Sequence, residues 1–174
     1  MRHLIILPGN SLKNKVWGEL ILEHYAPKYD SVFMMEYNHW VSGAPNIDFT
    51  TESEKIQTHV DSLAPNTEIT LFAKSAGSLL GLTVIHNKIL MPVRVVFFGM
   101  PLDLAAGNHF KNSWALLSEL TVPTIAFHNV ADPTTSYEFT KSMLELHNPN
   151  INLITTHDAD HWYGDLKTYD LYSN

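Results

Sequence analysis

The sequence predicts an α/β domain: a three-layer sandwich in which helices cover both faces of a mainly parallel six-stranded sheet. Three observations predict it. Six short apolar runs rich in Val, Ile and Phe recur along the 174 residues, most without polar alternation, as strands covered on both faces require. Longer mixed segments separate the runs and can supply helices. Hydrophobic residues form 45% of the chain and charged residues 17%, so a single domain over residues 1–174 has ample material for a core. A flavodoxin-like open sheet of the same class fits this alternation too.

The elements follow in order. "HLIIL" (3–7) is the first strand. In "NKVWGELILEHYA" (14–26), Val16, Trp17, Leu20, Ile21 and Tyr25 fall on one helical face. "SVFMMEY" (31–37) is the second strand, followed by the loop "NHWVSGAPNID" (38–48). "TESEKIQTHVDSLAP" (51–65) opens with Thr51 and Glu54 at capping-box spacing and stops at Pro65. "EITLFA" (68–73) is the third strand, and the small and apolar residues through Leu82 have the makings of a helix. "VRVVFF" (93–98) and "TIAFHNV" (124–130) are the next two strands. The interval between them, 99–122, has room for one helix around Asn112 to Leu120 but not for a multi-helix cap, which predicts an open site. "TSYEFTKSMLELHN" (135–148) places Phe139, Met143, Leu144 and Leu146 in near-helical spacing. "INLITT" (151–156) is the last strand, and "WYGDLKTYDLYS" (162–173) a closing helix.

Composition narrows the function. A formal net charge of −7 with no basic stripe or tail argues against nucleic-acid or anionic-membrane partners. The absence of cysteine removes disulfides, thiol nucleophiles and thiolate metal sites. The N-terminus "MRHLIILPGN" is too short in apolar residues for a signal peptide, and no stretch reaches transmembrane length, so a soluble cytoplasmic protein is expected. Neither G-x-G-x-x-G nor a P-loop motif is present, and no cofactor is expected.

Ligands of such sheets bind beyond the C-terminal ends of the strands. Those ends carry Pro8-Gly9-Asn10, Lys74-Ser75-Ala76-Gly77, Ala131-Asp132-Pro133 and "HDADHWYGD" (157–165). A serine, an aspartate and a histidine therefore lie at one end of the sheet, in the order Ser75, Asp132, His161. A serine hydroxyl needs a base to become a nucleophile, and a tight strand-to-helix turn with small neighbours can present it. "AKSAG" (73–77) approaches the G-x-S-x-G pattern, with Ala73 for the first glycine. A serine merely capping the next helix reads the same five residues equally well. His157 shares the loop of His161, and Asp103 in "GMPLD" follows the fourth strand, so each is a second candidate of its residue type. "HDADH" also offers His157, Asp158, Asp160 and His161 as divalent-metal ligands, although ligands consecutive in one loop make a poor closed site. Lys74 reads as solvated or paired with an acid; the alternative is a lysine favouring an anionic substrate.

These segments together resemble the α/β-hydrolase family over nearly the whole chain. "LIILPGN" resembles its first strand and oxyanion turn, with Pro8 in place of the usual histidine; "AKSAG" the nucleophile elbow; "NVADP" the strand end bearing the acid; "ADHWY" the histidine loop. The Pro-Gly-Asn turn and modest length resemble the compact, lid-poor serine hydrolases of the retinoblastoma-binding protein 9 type. The resemblance implies a compact α/β-hydrolase fold, with Ser75 as nucleophile, His161 as base and then acid, and Asp132 orienting it. The backbone N–H groups of Asn10 and Ala76 are implied as the oxyanion hole. Trp40, Phe110, Trp114, Trp162 and Tyr163 are candidates to line a substrate pocket. The expected substrate is a small carboxylic ester or thioester. A non-catalytic binding protein on the same scaffold is the rival reading, kept open by Ala73 and Pro8.

Overall fold

The computed structural model describes residues 1–103 and 115–172. Its centre is a six-stranded sheet in the order β2-β1-β3-β4-β5-β6, with every neighbouring pair parallel. The strands are β1 (Arg2–Leu7), β2 (Ser31–Met34), β3 (Glu68–Lys74), β4 (Arg94–Phe98), β5 (Thr124–Asn129) and β6 (Asn152–Thr156). All six lie where the apolar runs predict them, although β2 stops at Met34 and does not reach the expected Tyr37. Parallel neighbours need crossovers, and helices α1 (Lys13–Tyr25), α2 (His39–Ser42), α3 (Phe49–Asp61), α4 (Ala76–His86), α5 (Tyr137–His147) and α6 (Leu166–Asp170) accompany them.

Successive strand side chains point to opposite faces, so each apolar strand feeds two cores. Ile5, Leu7, Leu71, Ala73, Val95 and Phe97 pack with α3, α4 and α5 through Ile56, Leu79, Leu80 and Leu144. Leu4, Ile6, Phe72, Val96, Phe98 and Phe127 pack with Trp17, Ile21 and Tyr25 of α1 and with Tyr163 and Tyr169 near the C-terminus. The result is the three-layer α/β arrangement that the sequence predicts.

Local departures have physical causes. Helix α3 begins three residues before the expected capping box, because Asp48 is the cap: its carboxylate accepts from Thr50 N–H at 3.1 Å and Thr51 Oγ1 at 2.7 Å. It ends at Asp61, before Pro65. The loop after β2 contains the short helix α2, closed by Gly43 in the left-handed conformation (φ 75°). Helix α1 is rotated relative to the expected face: Asn14, Trp17, Gly18, Ile21 and Tyr25 are buried, while Val16 is exposed. In α5, Leu146 is exposed and Thr140 is buried instead. The closing helix is confined to Leu166–Asp170, because Tyr163 takes a positive φ (57°) that no α-helix accommodates. Of the expected helix around Asn112 to Leu120, residues 112–114 lie outside the described residues; Ala115–Glu119 form a 3-10 turn.

Under the sheet, His3 of β1 is buried against α3. Its Nε2 lies 2.9 Å from His59 Nε2, and its Nδ1 lies 2.6 Å from Ser31 Oγ. Burial, reinforced by the charge on His59, lowers the His3 pKa from 6.5 to about 4. Between those values the unfolded chain binds more protons than the folded one, so this contribution to stability is complete above pH 6.5 and lost as pH falls towards 4. The expected size is on the order of 2 kcal/mol. Thermal melts from neutral pH to about pH 4.5 should show the His3→Phe variant losing less than the wild type; parallel losses would assign the acid sensitivity to other groups.

Candidate active site

Strand order reverses between β1 and β3: β2 lies beyond β1 on one side and β4 beyond β3 on the other. A crevice therefore opens past their C-terminal ends, where the connecting chains depart in opposite directions. Pro8-Gly9-Asn10 leaves β1 there, and Ser75 leaves β3.

Ser75 joins β3 to α4 in a single residue, at φ 53° and ψ −129°. A non-glycine residue in this region is strained, and such strain persists only where surrounding contacts hold it. Here Ser75 N–H donates to Phe98 O at 2.9 Å, and Ser75 O accepts from Ser78 N–H at 2.8 Å and Ser78 Oγ at 2.6 Å. The side chain makes no capping hydrogen bond to α4, so the helix-cap reading of this serine does not describe it. Gly77 is required by contact: a Cβ there would run into the carbonyl oxygens of Leu7 and Pro8.

His161 and Asp132 meet across the β5–β6 end of the sheet, with His161 Nδ1 2.6 Å from Asp132 Oδ2. The Asp132 side chain is fully buried. Burial alone would raise its pKa, but hydrogen bonds from His161, Tyr163 and the Thr134 N–H hold it below the usual carboxylate range. Its other oxygen, Oδ1, accepts from Thr134 N–H at 2.8 Å, so one carboxylate both closes the turn and holds the imidazole. His161 Nε2 is buried and, among the described residues, has no hydrogen-bond partner. Ser75 Oγ makes no hydrogen bond to it, yet both residues line one cleft of ≈ 360 Å³.

The competing residues lie elsewhere. His157 is exposed. Asp103 spends its carboxylate on Thr135 Oγ1 (2.9 Å) and Ser136 N–H (2.8 Å), bracing the start of α5. Asp160 Oδ1 accepts from Trp162 N–H, and the "HDADH" residues do not converge as metal ligands among the described residues.

Tyr163, expected to line a substrate pocket, and Gly99, which sequence reasoning missed, shape the histidine loop instead. Tyr163 is buried, and its hydroxyl donates to Asp132 Oδ2 at 2.7 Å while accepting from Asn129 N–H at 3.1 Å. Burial, with the Asp132 charge in support, pushes its pKa up, so it stays a donor. Gly99, after β4, leaves room for both rings: at its φ of 53°, a Cβ would lie 2.9 Å from His161 Cε1 and 2.6 Å from Tyr163 Cε2. No local pattern marks either role. The loop is further tied by Trp17 Nε1 to Tyr163 O (3.0 Å) and Asn129 Nδ2 to Asp160 O (2.8 Å).

The cleft is lined by Asn10, Ser11, Asn14, Asn46, Ala76 and Leu79 among others, beside Ser75 and His161. Asn10 is firmly held. Its carbonyl accepts from His39 Nε2 (2.5 Å) and Trp40 Nε1 (2.9 Å), and its side chain bonds Pro45 O and Ile47 N–H. Tyr37 OH donates to Pro8 O at 2.8 Å in the same turn. None of Trp40, Trp162 and Tyr163 lines this cleft: Trp40 braces Asn10, Trp162 folds over Gly164, and Tyr163 is buried with its hydroxyl on Asp132. Phe110 and Trp114 lie outside the described residues.

Lys74 departs from expectation. It is 1% exposed rather than solvated, with Nζ donating to Asn14 Oδ1 and no ion pair among the described residues. The ammonium lies over two indoles, 5.7 Å from the Trp17 ring and 5.8 Å from that of Trp162. It does not line the cleft, which removes it as a direct contact for an anionic substrate.

No protein-family model and no curated protein matches the chain. Solved structures do. The Pyrococcus furiosus esterase Pf2001 superposes with a TM-score of 0.73 at 16% identity, over 98% of this chain and 78% of its own. An alpha-beta serine hydrolase homologue from Coxiella burnetii gives 0.73 at 13% identity, over 98% and 82%. A Xanthomonas campestris α/β serine hydrolase without lid gives 0.66 at 15% identity, over 98% and 77%. At such identities the likeness speaks for architecture, and the architecture is that of the α/β hydrolases.

Proposed function

We propose that this protein is a serine hydrolase that cleaves small carboxylic esters or thioesters through an acyl-enzyme formed on Ser75. One observation carries the reading: an imidazole held on its Nδ1 side by a buried carboxylate keeps Nε2 unpartnered in the same cleft as a serine on a strained strand-to-helix turn. The shared architecture with an esterase and serine hydrolases supports it.

In this reading Ser75 Oγ attacks the carbonyl carbon as His161 Nε2 takes its proton. Asp132 holds the tautomer with hydrogen on Nδ1 and stabilises the imidazolium that forms. The tetrahedral oxyanion is received by the N–H groups of Asn10 and Ala76. Ala76 is the first residue of α4, where N–H groups have no intrahelical acceptor. Collapse expels the alcohol or thiol, protonated by His161. Water, deprotonated by the same nitrogen, then releases the acid and restores Ser75. The firm anchoring of Asn10 and the glycine-dependent approach of α4 to β1 fit two donors fixed before substrate arrives. The Pro-Gly-Asn turn keeps the likeness to the compact retinoblastoma-binding protein 9 type within this proposal.

Intact-mass labelling with a fluorophosphonate tests the reading directly. The wild type is expected to take one adduct, which Ser75→Ala and His161→Ala both lose. A folded wild type that takes none would favour the non-catalytic binding protein. Tyr163→Phe tests the support beneath the acid. With one of two donors to Asp132 Oδ2 gone, kcat for p-nitrophenyl acetate should fall about tenfold with little change in KM. An unchanged kcat would reduce Tyr163 to a packing role.

A further inference from the structure

The Lys74 ammonium has donors and no acceptor, so its bond to Asn14 Oδ1 fixes which way the Asn14 carboxamide faces. The oxygen faces Lys74, and the amino group faces the turn that follows β1. There Nδ2 donates to Ser11 Oγ at 3.0 Å. A Cβ on Gly9 would lie 2.7 Å from Asn14 Nδ2 and 3.0 Å from Ser75 Cβ, so the amide and the serine flank the same absent side chain. Asn14 lines the cleft with Ser75 and His161. Of its two N–H bonds, Ser11 takes one.

We propose that Asn14 Nδ2 supplies a third, side-chain donor to the oxyanion formed when Ser75 attacks, and that Lys74 is the positioning residue that orients and polarises it. The inference rests on the hydrolase reading of Ser75. An ammonium on the amide oxygen draws density from the nitrogen and strengthens its N–H as a donor, most of all where water is excluded. Positive charge is thereby brought within one amide of the reacting oxygen, while the ammonium itself stays out of the cleft. Helix α1 contributes Asn14 and the Trp17 ring to the Lys74 environment, and the histidine loop contributes the Trp162 ring. The charges that act on it are the Asp132 and Asp160 carboxylates. Burial lowers the Lys74 pKa to about 8 against their opposing pull. Above that pH the neutral amine has a lone pair and can accept from Nδ2, so the amide loses its enforced direction.

The test is kcat for p-nitrophenyl acetate by the full chain from about pH 6 to 10, with fluorophosphonate labelling alongside. The wild type should show an alkaline limb near pH 8. In Lys74→Met the limb should vanish and kcat at neutral pH fall about tenfold, with KM within about twofold. Its thermal midpoint should be no lower than that of the wild type, because a buried charge has been removed. Asn14→Asp keeps the acceptor for Lys74 but loses the N–H donors. Its kcat should fall by a similar factor, and its limb should move to higher pH as the new carboxylate favours the ammonium. The double variant should be no worse than the poorer single one, because the two residues act as a unit. Losses that multiply, or a folded Lys74→Met within about twofold of wild-type kcat, overturn the proposal. Should Lys74→Met not fold, Asn14→Asp decides by the same threshold. A wild type without a fluorophosphonate adduct removes the hydrolase reading and this inference with it; normal labelling with unchanged kcat in both variants removes this inference alone.

Discussion

Helix α4 starts against the carbonyl end of strand β1, and the geometry of the site follows from that contact. Any side chain on Gly77 would strike the Leu7 and Pro8 carbonyl oxygens, so only glycine lets the helix come so close. With the helix there, the chain must reverse between β3 and α4 within one residue. That residue is Ser75, and its positive φ is the consequence. The approach also sets the first N–H groups of α4 beside the turn leaving β1, where a strand-order reversal has already opened a crevice. Ala73, where a glycine is usual in this turn, has room for its methyl against α4: even a Cβ added on Gly81 would lie at an ordinary contact distance of 3.7 Å from it.

The second half of the site is positioned by the aromatic core on the other face of the sheet. Tyr163 packs among Phe98, Phe127 and Tyr169, with Trp17 Nε1 bound to its carbonyl. Its hydroxyl reaches Asp132, and two residues before it stands His161. Buried packing thus fixes the loop that carries the imidazole, and the left-handed backbone at Tyr163 turns the chain away before α6 begins. The site is a joint product of two layers: α4 sets the serine, and the α1 side sets the histidine and its acid.

How much of this was legible in the sequence depends on the range of the forces involved. The four inner strands were legible because double burial demands unbroken apolar runs, and the edge strands β2 and β6, only partly buried, lie on such runs as well. The strand ends bearing Ser75, Asp132 and His161 were legible through the same reasoning, since parallel topology gathers C-terminal ends on one side. What was not legible depends on partners distant in sequence. The burial of Asn14 in place of Val16 follows from the rotation of α1, which Trp17 and the β1 turn determine together. Asp48 out-competes Thr51 as a cap by accepting two hydrogen bonds, one of them from Thr51 itself. Tyr163 reads as one aromatic among several until its hydroxyl is seen on Asp132.

Lys74 is the sharpest such case. Lysine is almost never fully buried without a partner charge, so a lysine between an apolar strand and a serine is naturally read as solvated. Here its stem runs into the α1 layer, and its ammonium is met by an amide oxygen and two indole faces rather than by a carboxylate in contact. Such a site disfavours the charged form, which is why its pKa falls to about 8. Below that pH the folded state carries a charge that the unfolded chain would hold more comfortably in water, so stability rises with pH from about 8 towards 10.5. A hydrophobic residue of similar length would serve packing better. An ammonium in that position makes physical sense where its effect on a neighbouring donor outweighs the stability it costs, and Asn14, facing Ser75 across Gly9, is the donor within its reach.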